Sequence, residues 1–63
     1  MFDSATITIK GGGSAFDEPA TELAWILRDL ADRIERAGND FSDKITLCDS
    51  NGNRVGACVS IKD

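Results

Sequence analysis

The chain contains no histidine. That one absence removes the commonest general base, the histidine-dependent catalytic triads and the commonest transition-metal ligand. Cysteine is scarce. Cys48 and Cys58 have nine residues between them, and no second cysteine pair or histidine completes a zinc site. No metal and no other cofactor are expected. Long hydrophobic runs are missing too. The longest, Leu23 to Leu27, falls far short of the ~20 residues a membrane-spanning helix needs. The N-terminus, MFDSATITIK, lacks the basic region and apolar run of a secretory signal. These absences predict a cytoplasmic protein with free thiols. Positive charge is in the minority, with seven Lys and Arg against eleven Asp and Glu, a net charge of −4. Nucleic acids and anionic membranes both require a basic patch, so neither is expected as a direct partner. A basic protein surface suits this charge, and so does simple solubility.

What is present is enough for one domain, expected over residues 1–63. A chain of this length buries only about 60% of the surface its unfolded form exposes. One layer of helix on one layer of sheet is what it can build, with marginal stability unless a disulfide, a metal or a partner subunit adds to it. In SATITIK, residues 4 to 10, Ala5, Ile7 and Ile9 alternate with Thr6, Thr8 and Lys10. This period of two marks a half-buried strand, ended by GGGS at 11 to 14. A helix is predicted over about 18 to 37. Pro19 suits its first turn, Asp17 or Glu18 can cap it, and Gly38 supplies the left-handed residue after its last turn.

The remainder, DKITLCDSNGNRVGACVSIKD, reads as a hairpin. Ile45 and Leu47 alternate in one arm, and Val55, Ala57, Val59 and Ile61 in the other. A two-residue Asn51-Gly52 turn would put these two sets on opposite faces. A type I turn over Asp49 to Gly52, with Gly52 left-handed in a bulge, pairs Leu47 with Val55 and Ile45 with Ala57 and puts them on one face. Because a one-residue slip flips every side chain, burial is expected to select the second register. The expected fold class is α+β: a two-layer β-α-β-β sandwich, a three-stranded antiparallel sheet with one helix packed on one face. Strand 3 is expected in the middle, antiparallel to strand 1. The helix should cover Ala5, Ile7, Ile9, Ile45, Leu47, Val55, Ala57, Val59 and Ile61. Thr6, Thr8, Lys10, Thr46, Cys48, Arg54, Gly56, Cys58 and Ser60 would form a flat outer face. Cys48 would sit opposite Arg54 and Cys58 opposite Lys44, roughly 13 Å apart at 3.3 Å per residue, too far for a disulfide.

Little of this carries catalytic chemistry. KGGGS before a helix has the wrong spacing for a nucleotide loop, and Asp17 and Glu18 at the helix start would repel phosphate. No carboxylate pair suggests acid and base roles, so an enzyme is not expected. The helix face is more informative. At 100° per residue, Leu23, Ile26, Leu27, Leu30, Ile34 and Ala37 fall within about 100° of one another. Trp25, the only tryptophan, lies near 200° from Leu23, about opposite that stripe. Glu18, Thr21, Glu22, Arg28, Asp29, Asp32 and Arg36 surround it. An exposed tryptophan is a ready anchor for a protein partner. The competing local reading has the ring covered by Phe2, Phe16 or Phe41, or stacked on Arg28. Trp25, Glu18, Glu22, Arg28, Asp29 and Asp32 are the candidate partner-binding residues. The outer sheet face and the two edge strands are further candidate surfaces, for self-association into a homodimer. A thiol sensor built on Cys48 or Cys58 is the remaining alternative.

The run TITIK, then AF, then ELAWILRDLADRIERAG, then L-x-D-x-NGN-x-VG resembles small uncharacterised proteins of bacteriophage and prophage genomes. The likeness covers nearly the whole chain, and its elements are structural ones. It implies origin rather than activity. Small acidic phage proteins of this kind resemble inhibitors of host systems, anti-CRISPR proteins among them, which act by binding. The resemblance therefore implies a host protein or complex with a basic surface as partner, in the host cytoplasm.

Overall fold

Alternating β-branched residues form the first strand, β1 (Phe2–Ile9), in the computed structural model, which describes residues 2–62. Gly13 turns the chain with φ 77° into a short 3-10 turn at Ser14–Phe16, whose Phe16 packs against the core. The helix α1 spans Pro19–Ala37. Proline occupies its first turn, and Gly38 ends it by donating its N–H to the Ile34 carbonyl. Glu18 is the N-cap residue but makes no side-chain capping bond. A second 3-10 turn at Gly38–Asp40 leads to the hairpin strands β2 (Lys44–Cys48) and β3 (Arg54–Lys62).

The sheet order is β1-β3-β2, antiparallel throughout. The chain is thus an α+β fold with one helix on a three-stranded antiparallel sheet. The hairpin loop is built as expected. Gly52 N–H donates to Asp49 O (3.0 Å), Asp49 N–H donates to Asn53 O (2.9 Å), and Gly52 is left-handed at φ 88°. The Asp49 carboxylate is buried and accepts from the Asn51 and Asn53 amides at 3.0 and 2.8 Å, which fixes the turn. Cys48 faces Arg54, also as expected.

Beyond that first pair the register departs from the expectation. A β-bulge leaves Val55 without a partner on β2, so Leu47 faces Gly56, Ile45 faces Cys58 and Lys44 faces Val59. One extra residue on one strand turns over every side chain that follows. Gly56, Cys58 and Ser60 therefore face the helix, while Val59 and Ile61, expected in the core, stand 48% and 56% exposed. Cys58 moves from the expected outer face into the core, beside Ile45 and Ile7, and both cysteines are free. Gly56 explains where the slip happens. A Cβ there would lie 1.8 Å from the Thr8 carbonyl oxygen, so β1 approaches β3 at a spot only glycine allows. Small side chains on the central strand also leave room for Ile26 and Leu30, which pack with Ile45, Leu47 and Cys58 as the buried core.

Candidate protein-binding surfaces

The apolar stripe of α1 does not point straight at the sheet. The helix is rolled so that Glu22, Ile26, Leu30 and Arg33, within about 80° of one another at 100° per residue, face β2 and the hairpin turn. Glu22 is only 6% exposed. Its carboxylate accepts hydrogen bonds from the Ser50 N–H (2.6 Å) and the Ser50 hydroxyl (2.8 Å), tying the first helical turns to the β2–β3 loop. This corrects the expectation that Glu22 belongs to an exposed acidic face. A carboxylate can sit inside here because the loop offers it two donors. Arg33 reaches the other way along the same flank. It donates from Nη1 to the Thr46 carbonyl at 2.8 Å and lies 3.5 Å from the Asp29 carboxylate.

The roll also moves Trp25. It lies about 100° from Ile26, on the shoulder of the helix above β2 rather than on its crest, and it is 43% exposed. Phe2, one of the groups that could have covered it, instead packs its ring on Phe41, centroids 6.4 Å apart. Glu18, Asp29, Asp32 and Arg36 share the shoulder with Trp25, and Arg28 stands nearer the crest. Asp32 pairs with Arg36 and Asp29 with Arg33, each one turn along the helix. The frame around the indole is therefore charge-paired rather than purely acidic. Exposed pairs of this kind contribute little to stability, but they present alternating charge around an apolar centre.

The opposite flank of the helix is only partly covered: Ile34 on it, and Ile9 on β1, pack against the core, while the middle of both is open. Leu23 and Leu27 lie about 60° and 100° from Ile26 on the side away from Arg33, and both are exposed. Ile7, on the helix-facing side of β1, is 46% exposed. Further along β1, a cleft of about 860 Å³ lies between β1, β3 and the C-terminal end of α1, lined by Phe2, Ala5, Ile34, Phe41, Cys58 and Ser60 among others. The Ser60 hydroxyl is buried there with no hydrogen-bond partner among the described residues. Lys62 closes one end, donating to the Phe41 carbonyl and lying over the Phe41 ring at 4.3 Å. The radius of gyration, 12.3 Å, exceeds the about 11 Å expected of a closed domain of this length, because the molecule is elongated, with extents of 38 × 19 × 17 Å.

The two sheet edges differ in the same sense. Ser60 N–H donates to Asp43 O, so Ile45 and Leu47 bond inward to β3 and the backbone groups of Lys44 and Thr46 face outward. The outward Thr46 carbonyl is the one Arg33 caps. On the other edge, Lys10 N–H donates to Val55 O, so Thr8 and Thr6 bond inward and Ala5, Ile7 and Ile9 turn their backbone groups outward. No side chain among the described residues caps them. Sequence reasoning placed both edges as candidates. The Arg33 cap distinguishes them, and no spacing rule foretells it. Among the described residues no helix is long and apolar enough to cross a membrane. No protein-family model, curated protein or solved structure matches the chain.

Proposed function

We propose that the chain is a non-enzymatic protein-interaction module, encoded by phage or prophage. It acts as an inhibitor of a host defence complex, in the manner of an anti-CRISPR protein, or of a nucleic-acid-handling complex in the host cytoplasm. The observation that carries the binding reading is Trp25, left 43% exposed on a helix shoulder ringed by charge. A tryptophan so placed supplies large contact area at low entropic cost. Glu18, Asp29 and Asp32 would meet basic groups on the partner and set its orientation, with Arg28 at the margin. Glu22 has no part in this surface, being bound to Ser50. The phage setting rests on the ITI, AF, ILR-x-LA and D-x-NGN-x-VG skeleton.

The test is capture of host proteins on immobilised wild type and on Trp25→Ala and Asp29→Lys variants whose circular dichroism matches it. A partner held by wild type and lost by both variants is the expected result. Retention of every wild-type partner by both variants refutes the Trp25 surface.

A second reading, a homodimeric accessory protein without inhibitor activity, is favoured by one observation, the uncapped β1 edge beside exposed Ile7, Leu23 and Leu27. A thiol sensor is less favoured, because Cys58 is buried in the core.

A further inference from the structure

We propose that β1 is an interface strand, occupied by β1 of a second copy of this chain in a two-fold antiparallel pair centred on Ile7. The proposal deepens the homodimer reading above and does not depend on the Trp25 surface.

An edge strand with free backbone groups is a template for another strand, and proteins that stay monomeric blunt it with charge, proline, bulges, short length or a cover. The β2 edge carries several of these devices. It has five residues with Lys44 among them, a bulge lies opposite its end, and Arg33 caps Thr46. Between Ser4 and Ile9, β1 has none of them. Its irregularity lies outside that span, between Phe2 and Ser4, and its charges, Asp3 and Lys10, stand at the two ends.

The free strand matches itself. Ala5, Ile7 and Ile9 are the residues whose N–H and C=O face outward. Antiparallel pairing about Ile7 sets Ala5 against the second copy's Ile9, Ile7 against Ile7, and Ile9 against Ala5. Each pair can exchange both backbone bonds. The same register sets Thr6 against Thr8 on the outer face, a favourable cross-strand pair. It also brings Lys10 opposite Ser4, one residue from the Asp3 carboxylate, at both ends of the ribbon. Apolar surface follows the same geometry. Ile7 of both copies would floor a trough continuous across the joined sheet, with Leu23 and Leu27 of each helix on its walls. A sheet of three strands would become one of six, and the open flank of each helix would face the other copy.

Two variants and one measurement test this in the full chain. Ala5→Pro removes an outward N–H that β3 does not use, a position where an edge strand accepts proline. Ile7→Glu replaces a half-exposed side chain and sets two carboxylates against each other across the two-fold axis. Sedimentation velocity from low to high micromolar concentration should show wild type at twice the monomer mass. Both variants should be monomeric with unchanged circular dichroism, Ile7→Glu weakening self-association by about a hundredfold or more. Amide hydrogen exchange on wild type is the readout that needs no variant. The Ala5, Ile7 and Ile9 amides should gain protection with concentration, while Thr6 and Thr8, already bonded to β3, should not. Wild type that stays monomeric overturns the proposal, and so does an associated species whose Ala5, Ile7 and Ile9 amides still exchange freely. A dimer that survives both substitutions in folded protein also overturns it. A monomer that still captures a host protein through Trp25 would overturn this inference alone.

Discussion

Removing the Glu22 carboxylate should cost this chain a large part of its stability. In the structure it accepts two hydrogen bonds from Ser50, at 2.6 and 2.8 Å, from a residue 6% exposed. Bonds to a charged group contribute about 1.5–3 kcal/mol each. Ser50 itself is exposed, so water can replace part of the loss, and the lower end, about 3 kcal/mol for both, applies. Alanine's better helix propensity returns about 0.3 kcal/mol. A 63-residue domain has roughly 3–9 kcal/mol in all at the usual 0.05–0.15 per residue. Glu22→Ala should therefore lower the urea midpoint sharply at unchanged slope, read by circular dichroism. Glu22→Gln can keep both contacts, its carbonyl accepting from the Ser50 N–H and its amide donating to the Ser50 hydroxyl. It should lose only about 1 kcal/mol of charge assistance. Ser50→Ala should lie between, and the double variant should show coupling, since both substitutions delete one shared bond. A Glu22→Ala protein within about 0.5 kcal/mol of wild type, as a surface substitution would be, would refute the buried placement. Glu22 would then return to the helix surface available to a partner.

Two further substitutions probe the register of β3. Gly56→Ala puts a Cβ 1.8 Å from a backbone oxygen of β1, a contact that no rotamer change relieves; it should destabilise by about 3 kcal/mol or more, measured by urea unfolding. Ser60→Ala removes a hydroxyl that is buried without a partner among the described residues; it should leave stability unchanged or raise it by about 1 kcal/mol, and a loss of more than that would show that the hydroxyl is bonded in solution.

The elements themselves were legible because each is punctuated. Pro19 and Gly38 bound the helix within a residue of its expected ends. The Asp49–Gly52 turn formed with the expected left-handed glycine, and β3 took the central place. The register of β3 was not legible from apolar alternation. Val55, Ala57, Val59 and Ile61 read as the buried set; Val55 does pack against the core, but the bulge there sends Gly56, Cys58 and Ser60 to the helix in place of Ala57, Val59 and Ile61. The available signal was the glycine inside a strand, which marks a bulge or a close backbone approach, and here marks both. The roll of the helix was illegible for a different reason. Periodicity locates the apolar stripe but not its direction, and that direction is set by polar ties, Glu22 to Ser50 and Arg33 to Thr46. A helical wheel gives Glu22 and Asp29 similar standing, and only the donors on the neighbouring loop separate them.

The same two ties explain why the molecule has one finished side and one open side. Glu22 and Arg33 draw α1 toward β2, where Arg33 caps the Thr46 carbonyl and the helix buries Ile26 and Leu30. The cost falls on β1, whose Ile7 is left without a helix above it, and on Leu23 and Leu27, which are left without a sheet below them. A chain with so small a core gains most by covering those residues, since apolar area taken from water contributes about 25 cal/mol per Å². Trp25 stands on the β2 side, where Arg33 caps the Thr46 carbonyl, and Ile7 on the opposite one. The helix roll thus separates two surfaces with different demands. The Trp25 shoulder is already supported by the fold, while the β1 side leaves Ile7, Leu23 and Leu27 exposed beside a strand edge that no side chain among the described residues caps. A protein that dimerises through β1 would keep both Trp25 shoulders outward, on the outer flanks of the joined sheet, and so could engage two partner sites at once.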